Sequence, residues 1–391
     1  MESNPSSQRK KIMAYVIGSF LLTGAIVFSY WLFWARFEVT TEDAYVHGNK
    51  INLTPQISGF VSAVHVNETQ SVKEGQLLIS LDTSDMQIAL EKSFSQLAET
   101  VRNVSQFFEK VEVLKAQLEM RKANLTKATI EYDDRKSLVL SGSVSKEDFI
   151  DSETRYLFAK ADVDNIESQL KQAYAAVAGT CVSTHPLVES AKEHARQAWL
   201  DFKRCNIVSP THGIIAQRSA QVGEAVNPND PLLAIIPIDQ IWVNANFKET
   251  QLKQLRIGQN VELTADMYGH FVKYRGTVVG IGAGSGSVFS LLPPQNATGN
   301  WIKIVQRIPV RIRLDPQQVA EYPLFLGLSM QVKVDIQNTS GTRIPAPQST
   351  ETPLYTTQVF RKQEEGIEPI LVEIIQKNQI LFSRDWCKND V

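Results

Sequence analysis

Apolar residues fall on a strict seven-residue step through the first half of the chain: Leu90, Leu97, Val104, Val111, Leu118, Leu125, Tyr132 and Val139. Phe94, Val101, Phe108, Leu114 and Ala128 occupy the alternate seam. A step of seven requires a slightly under-wound helix whose stripe faces a partner along its whole length. The step resumes at Phe149, Tyr156, Val163, Leu170 and Val177, with Ala159, Ile166 and Ala173 between them. Two antiparallel helices are therefore expected over 86–205, the first reaching about 75 Å at about 1.5 Å per residue. Periodic runs of that length belong to coiled coils or repeats, so a projecting α-hairpin is the reading. Leu140-Ser-Gly-Ser-Val144 breaks the period and Ser145-Lys-Glu-Asp148 has the form of a capping box, which places the tip there. A simple turn would use the same glycine and caps. Gly179 and Pro186 should interrupt the returning helix, after which apolar positions restart in a shifted phase at Leu187, Ala191, Ala198 and Phe202.

The helical pattern is flanked by alternation of period two, the mark of strands. Before it lie Ile51–Thr54, Gly59–Val66 and Val72–Leu81; after it lie Gly213–Ile215, Val222–Val226 and Pro231–Ile236. The two sets repeat each other, with a Pro shortly before Gly59 and Gly213 and a Leu-Leu pair downstream of each. A repeat split by a helical insertion predicts one β-sandwich, cut open over 51–85 and 206–237, whose halves the hairpin returns to one another. Gly59, Gly75, Gly213 and Gly223 are its expected turn glycines. These turns resemble those of lipoyl- and biotinyl-carrier domains, but the place of the modified lysine falls near Asp85 and holds none. No covalent cofactor is expected, and no cofactor of any other kind.

Further on, Trp242–Phe247, Val261–Thr264, Phe271–Ile281, Ile304–Leu314 and Met330–Ile336 read as strands separated by Gly and Pro, with a short helix over Glu249–Arg256 stopped by Gly258. Closing them into a β-barrel over 238–340, begun by the stretch 36–50, leaves no open sheet edge. Residues 341–391 read as a linker and C-terminal tail, in which Ile367–Leu381 could be helix or strand.

Ile12 to Ala35 carries no charge over 24 residues, follows Arg9, Lys10 and Lys11, and precedes Glu38, Glu42 and Asp43. Its length predicts a transmembrane helix over 12–35, against the alternative of a cleaved signal peptide with its shorter apolar core. The basic flank predicts a cytoplasmic tail over 1–11 and a single-pass inner-membrane protein whose bulk is periplasmic. The fold class expected is thus mixed and multi-domain: a transmembrane helix, a split lipoyl-like sandwich, an inserted coiled-coil hairpin and a barrel.

Charge is nearly balanced, 40 basic against 42 acidic residues in 391, which leaves no footprint for nucleic acid. Cys181, Cys205 and Cys387 are too few and too scattered for a disulfide framework. The run Gly280-Ile-Gly-Ala-Gly-Ser-Gly286 fits neither phosphate-loop spacing, and Cys181, His185, His194 and Cys205 match no zinc pattern. No catalytic or metal residues emerge, and the chain is not expected to be an enzyme.

Ile241–Leu252 and Phe289–Ile302, running into Lys303–Ile312, resemble the corresponding segments of the membrane fusion protein (HlyD-type periplasmic adaptor) family, and the domain order agrees. That resemblance implies an adaptor of a tripartite multidrug efflux pump. It would self-associate into a ring and join a proton-driven major facilitator transporter of the inner membrane to a TolC-like outer-membrane channel. Family tips carry an Arg, a Leu and a Ser at fixed spacing for the channel; here Leu138 and Ser145 keep their interval, while Asp134 stands where the Arg would be and Arg135 follows it. Arg135, Leu138 and Ser145 are therefore the tip residues, and Phe247, Lys248, Glu249, Asn296 and Trp301 mark barrel segments on the transporter side. Two rivals are an adaptor of ATP-driven type I protein secretion and a structural coiled-coil protein.

Overall fold

The computed structural model describes residues 5–33, 35–286, 288–289, 305–345 and 353–379. Helix α1 (Pro5–Phe33) leads into strand β1 (Glu38–Gly48). Among the described residues no helix is long and apolar enough to cross a membrane. This corrects the transmembrane helix expected over 12–35, and the single-pass placement with a cytoplasmic N-terminus falls with it.

Strands β2 (Ile51–Leu53), β3 (Gly59–Val64), β4 (Ser71–Val72) and β5 (Leu77–Leu81) lie before the helices. Then come α2 (Ser84–Leu140), α3 (Lys146–Val177) and α4 (Pro186–Arg204), followed by β6 (Asn206–Val208), β7 (Gly213–Arg218), β8 (Ala225–Val226) and β9 (Leu233–Ile236). The eight short strands form two antiparallel sheets in which the halves exchange edges, ordered β2-β9-β7-β4 and β6-β5-β3-β8. Gly75, at φ +79°, donates its N–H to the Ser209 carbonyl at 2.8 Å. Gly223, at φ +86°, donates to the Val61 carbonyl at 2.8 Å. Each half thus uses a left-handed glycine to hold the other, a conformation that a side chain would strain. Between the sheets, Val61, Leu78, Ile79 and Leu81 pack with Ile215, Leu232, Leu233 and Ile235, all buried. Neither set could bury its apolar face alone.

Asp82 sits where β5 gives way to α2. Its Oδ1 accepts from the Ser84 N–H at 3.0 Å and the Ser84 hydroxyl at 2.8 Å, and these bonds hold the carboxyl below its ordinary range. On the return crossing the Cys205 thiol is buried and free, and burial beside Asp82 and Asp201 pushes its pKa up.

The seam of α2 is buried at Leu90, Leu97, Val104, Val111 and Leu118, but only half-buried at Leu125, Tyr132 and Val139. Two helices alone can cover little more than one stripe, so the outer hairpin stays thinly packed. At the base the break supplies more cover. Gly179 takes φ +68°, a 3-10 turn follows over Val182–Thr184, and α4 starts with Pro at its first position. His185 bridges this gap: its Nδ1 accepts the Leu187 N–H at 3.2 Å while Nε2 lies 3.1 Å from the Ala176 carbonyl, which the neutral Nε2–H tautomer satisfies at both ends.

The second half contains β10 (Ile241–Lys248), β11 (Asn260–Ala265), β12 (Lys273–Ile281), β13 (Arg307–Leu314), a one-turn helix α5 (Pro316–Glu321) and β14 (Ser329–Asp335). With β1 these close an antiparallel barrel in the order β1-β10-β13-β12-β11-β14. Val243, Ala245, Phe247, Leu263, Tyr274, Val310, Ile312, Val332 and Val334 fill it. Residues 249–256 form turns, not the expected helix. The Gln251 side chain accepts the Lys248 N–H, that of Gln259 accepts the Arg256 N–H, and Leu255 is drawn into the barrel core. Such local side-chain bonds compete with a helix for the backbone donors.

Helices α6 (Val359–Lys362) and α7 (Ile367–Asn378) end the described chain. The stretch open to helix or strand is helical because Ile367, Leu371 and Ile375 recur every fourth residue and bury one stripe against the hairpin base.

A β-carbon on Gly213 would stand 2.5 Å from the Ile236 carbonyl oxygen within the β7–β9 pairing, whereas one on Gly280 meets nothing within 4 Å. Gly213→Ala should therefore cost about 1–3 kcal/mol in chemical denaturation, and Gly280→Ala close to nothing. Equal midpoints for the two variants would show that the close approach is not as tight as the backbone implies.

Candidate functional site

The far end of the hairpin is built from two opposed caps. Helix α2 closes in a Schellman arrangement: the Ser143 N–H reaches the Leu138 carbonyl at 3.1 Å, and the Gly142 N–H reaches Val139 at 3.2 Å. Gly142 takes φ +74°, which that closure requires. Helix α3 opens on Ser145, whose hydroxyl accepts the Asp148 N–H at 3.0 Å and lies 2.7 Å from the Asp148 carboxylate. The reciprocal half of a capping box would reach the Ser145 N–H; here it goes to the hydroxyl instead. Just below, the Tyr132 ring stacks on Phe149 at 5.7 Å and on Tyr156 at 5.2 Å, clamping the two arms together. Lys136 lies over the same Tyr132 ring at 5.4 Å.

Arg135 and Leu138 sit three residues apart and so share one face of the last turns of α2; Arg135 is half-buried and Leu138 is 43% exposed. Ser145 is exposed across the turn, but its hydroxyl is already engaged in capping. The structure adds residues that sequence reasoning passed over. Leu140 is 87% exposed and Ile150 59% exposed, two apolar side chains beside the tip that the described residues leave largely open. Both fall off the seven-residue seam, and that is the signal by which they could have been found: apolar residues outside the stripe, beside the break at the tip.

The barrel residues are placed unequally. Phe247 is fully buried in the barrel, so its side chain is not offered to a partner. Alternation along β10 puts Val243, Ala245 and Phe247 on the inner face together. Lys248 and Glu249 are exposed at the barrel end nearest α1. A polar network surrounds them there. Arg307 pairs with Asp43 at 2.6 Å, Asn246 donates to Asp43 at 3.0 Å, and the Gln251 side chain donates to the Thr40 carbonyl at 3.1 Å. Asn296 and Trp301 lie outside the described residues. Among the described residues no group of three or more His, Cys, Asp or Glu is arranged to hold a metal ion. Of the four turn glycines, Gly75 and Gly223 supply positive φ, Gly213 supplies close approach, and Gly59 opens β3 beside Val226.

Residues 84–205 match the family described as "EMRA, alpha-helical hairpin domain", and residues 240–335 match the "AAEA-like beta-barrel domain". The "Probable multidrug resistance protein EmrK" of Escherichia coli (strain K12) is 38% identical over 374 residues, spanning 95% of this chain and 97% of its own. The "Multidrug export protein EmrA" of the same organism is 40% identical over 349 residues, 89% of each chain. The "Fatty acid resistance protein FarA" of Neisseria gonorrhoeae is 41% identical over 319 residues, 80% of this chain and 81% of its own. Identity of this order along nearly the whole chain, on a hairpin and a barrel that both match, settles the assignment: the chain belongs to the HlyD-type periplasmic adaptors, in the EmrA and EmrK group of multidrug efflux adaptors, and is not an enzyme.

Proposed function

We infer that this protein is the periplasmic adaptor of a multidrug efflux system, linking an inner-membrane transporter to a TolC-like outer-membrane channel. The observation that carries the reading is the relation to EmrK and EmrA over almost the full chain. The geometry supports it. Helix α2 has 57 residues, about 85 Å at 1.5 Å per residue, long enough to carry a contact well away from the barrel. The transporter we propose is a proton-driven major facilitator, consistent with an adaptor that itself holds no energy-coupling chemistry. The cargo class is amphipathic toxins, in keeping with the multidrug and fatty acid resistance in the relatives' names.

We divide the labour by domain. The split sandwich over 51–85 and 206–237 and the hairpin over 86–205 stack with neighbouring copies into a ring, since repeated heterologous contacts close a conduit. The barrel over 238–340 faces the transporter through its α1 end, where Lys248 and Glu249 stand exposed. The hairpin tip meets the channel through Leu138 and Leu140, with Arg135 beside them and Ser145 holding the turn in shape.

Leu138→Asp and Leu140→Asp together should abolish resistance to the level of the gene deletion and remove photo-crosslinks from position 143 to the channel. The hairpin's helical circular dichroism should remain. Ser145→Ala should cost about 1 kcal/mol of hairpin stability through the lost cap and leave the crosslink in place. Full resistance and crosslinking in the double aspartate variant would remove the tip from the channel contact.

A further inference from the structure

The C-terminal segment touches all three bodies in turn. At the barrel, the Ile257 N–H donates to the Thr342 carbonyl at 2.9 Å, and Arg343 donates to the Lys253 carbonyl at 2.8 Å. At the split sandwich, the Thr357 hydroxyl and the Gln358 N–H both reach the Glu74 carboxylate, at 3.1 and 3.2 Å, in the turn before Gly75. At the hairpin, the Trp199 indole donates to the Gln363 carbonyl at 3.1 Å, Arg196 pairs with Glu368 at 2.6 Å, and Arg102 donates to Asn378 at 2.6 Å. Ile367, Leu371 and Ile375 are buried there against Leu97, Val101, Val104 and Phe108 of α2 and Val188 of α4.

Without this segment, the described residues join the sandwich to the hairpin chiefly at the two chain crossings near Asp82 and Cys205, with Met86 packed on the sandwich core beside them. Those crossings lie side by side, with Leu81 donating to the Cys205 carbonyl at 2.8 Å, and a pair of adjacent links is a hinge. A hinge at the foot of a rod about 85 Å long is a lever: a tilt of about ten degrees moves the tip by about 15 Å. A side-on tie that ends about a third of the way up α2, at Arg102, removes that freedom.

We propose that residues 353–379 are a brace that sets the direction of the hairpin relative to the sandwich, and so positions the tip. The brace works through α7, whose buried stripe grips the hairpin base, and through Glu74, which anchors the segment on the sandwich. The exposed Arg196–Glu368 pair orients α7 more than it binds it, since pairs open to solvent contribute little. The proposal bears on the adaptor reading, but its test needs neither transporter nor channel.

Spin labels carried by non-canonical residues at Ser168 on α3 and at Val222 on the sandwich, both exposed, report the hinge in the full-length chain. Pulsed dipolar spectroscopy should give a narrow distance distribution. Leu371→Asp should release α7 and widen the distribution roughly twofold while the helical signal of the hairpin holds. Arg196→Glu should widen it less, and adding Glu368→Arg should narrow it again. An unchanged width in Leu371→Asp, with hydrogen exchange showing 367–378 released, would overturn the brace. So would widening that comes with melting of α2, because that would make α7 a mere part of the hairpin core. A failed tip-to-channel crosslink would leave these distances, and the brace, untouched.

Discussion

The architecture depends on strand β5 finding β6 on the far side of the hairpin. Leu77 pairs with Val208, Ile79 with Ile207 and Ser80 with Asn206. The same reunion lets β2 lie on β9, β4 on β7 and β3 on β8. Each sheet has an inner pair from one half and edges from the other, so neither half has a complete sheet or a closed core of its own. The long closure this demands is costly in chain entropy. The helices reduce that cost, because a rigid out-and-back rod delivers its second end beside its first.

From that joint outward the packing thins in a graded way. Four helical segments surround the cluster at Leu97 to Val111, and only two remain beyond Leu118. The outer seam is therefore half-open, and the aromatic stack of Tyr132 with Phe149 and Tyr156 holds the arms where aliphatic burial no longer does. A stiff, well-covered foot and a lightly packed end suit a rod whose direction matters at the base and whose chemistry matters at the tip.

How much of this could be read from the chain follows from the range of each interaction. The hairpin was legible because its stripe repeats with the period of one helix against another, and Gly142 with Ser145 punctuates it. The barrel strands showed through their alternation, with Val243, Ala245 and Phe247 on one face and Trp242, Asn244 and Asn246 on the other. That same alternation should have withdrawn Phe247 from the partner surface, since its face is the interior. The stretch from Glu249 to Arg256 misled because helix propensity there loses to Gln251 and Gln259 bonding the backbone locally. Helix α7 was ambiguous because its closely spaced apolar residues, Ile367, Ile370, Leu371, Ile374 and Ile375, serve a helix or a strand, and their partners on α2 lie over 250 positions away, as the Arg102–Asn378 separation of 276 shows. The apolar run near the N-terminus read as a membrane span, and that span does not stand, because among the described residues no helix is long and apolar enough to cross a membrane.

The central claim is that residues 59–81 and 206–236 are one cooperative body despite the insertion between them. Native-state hydrogen exchange measures this directly at the amides of Leu81 in β5 and Ile215 in β7, each bonded across the junction to the other half. A single body requires the two amides to share one opening free energy and to move together when Gly213 is replaced by alanine. If the first half kept its protection while the second lost it, the two would be separate structures, and the sandwich as the joint that carries the rod would be wrong.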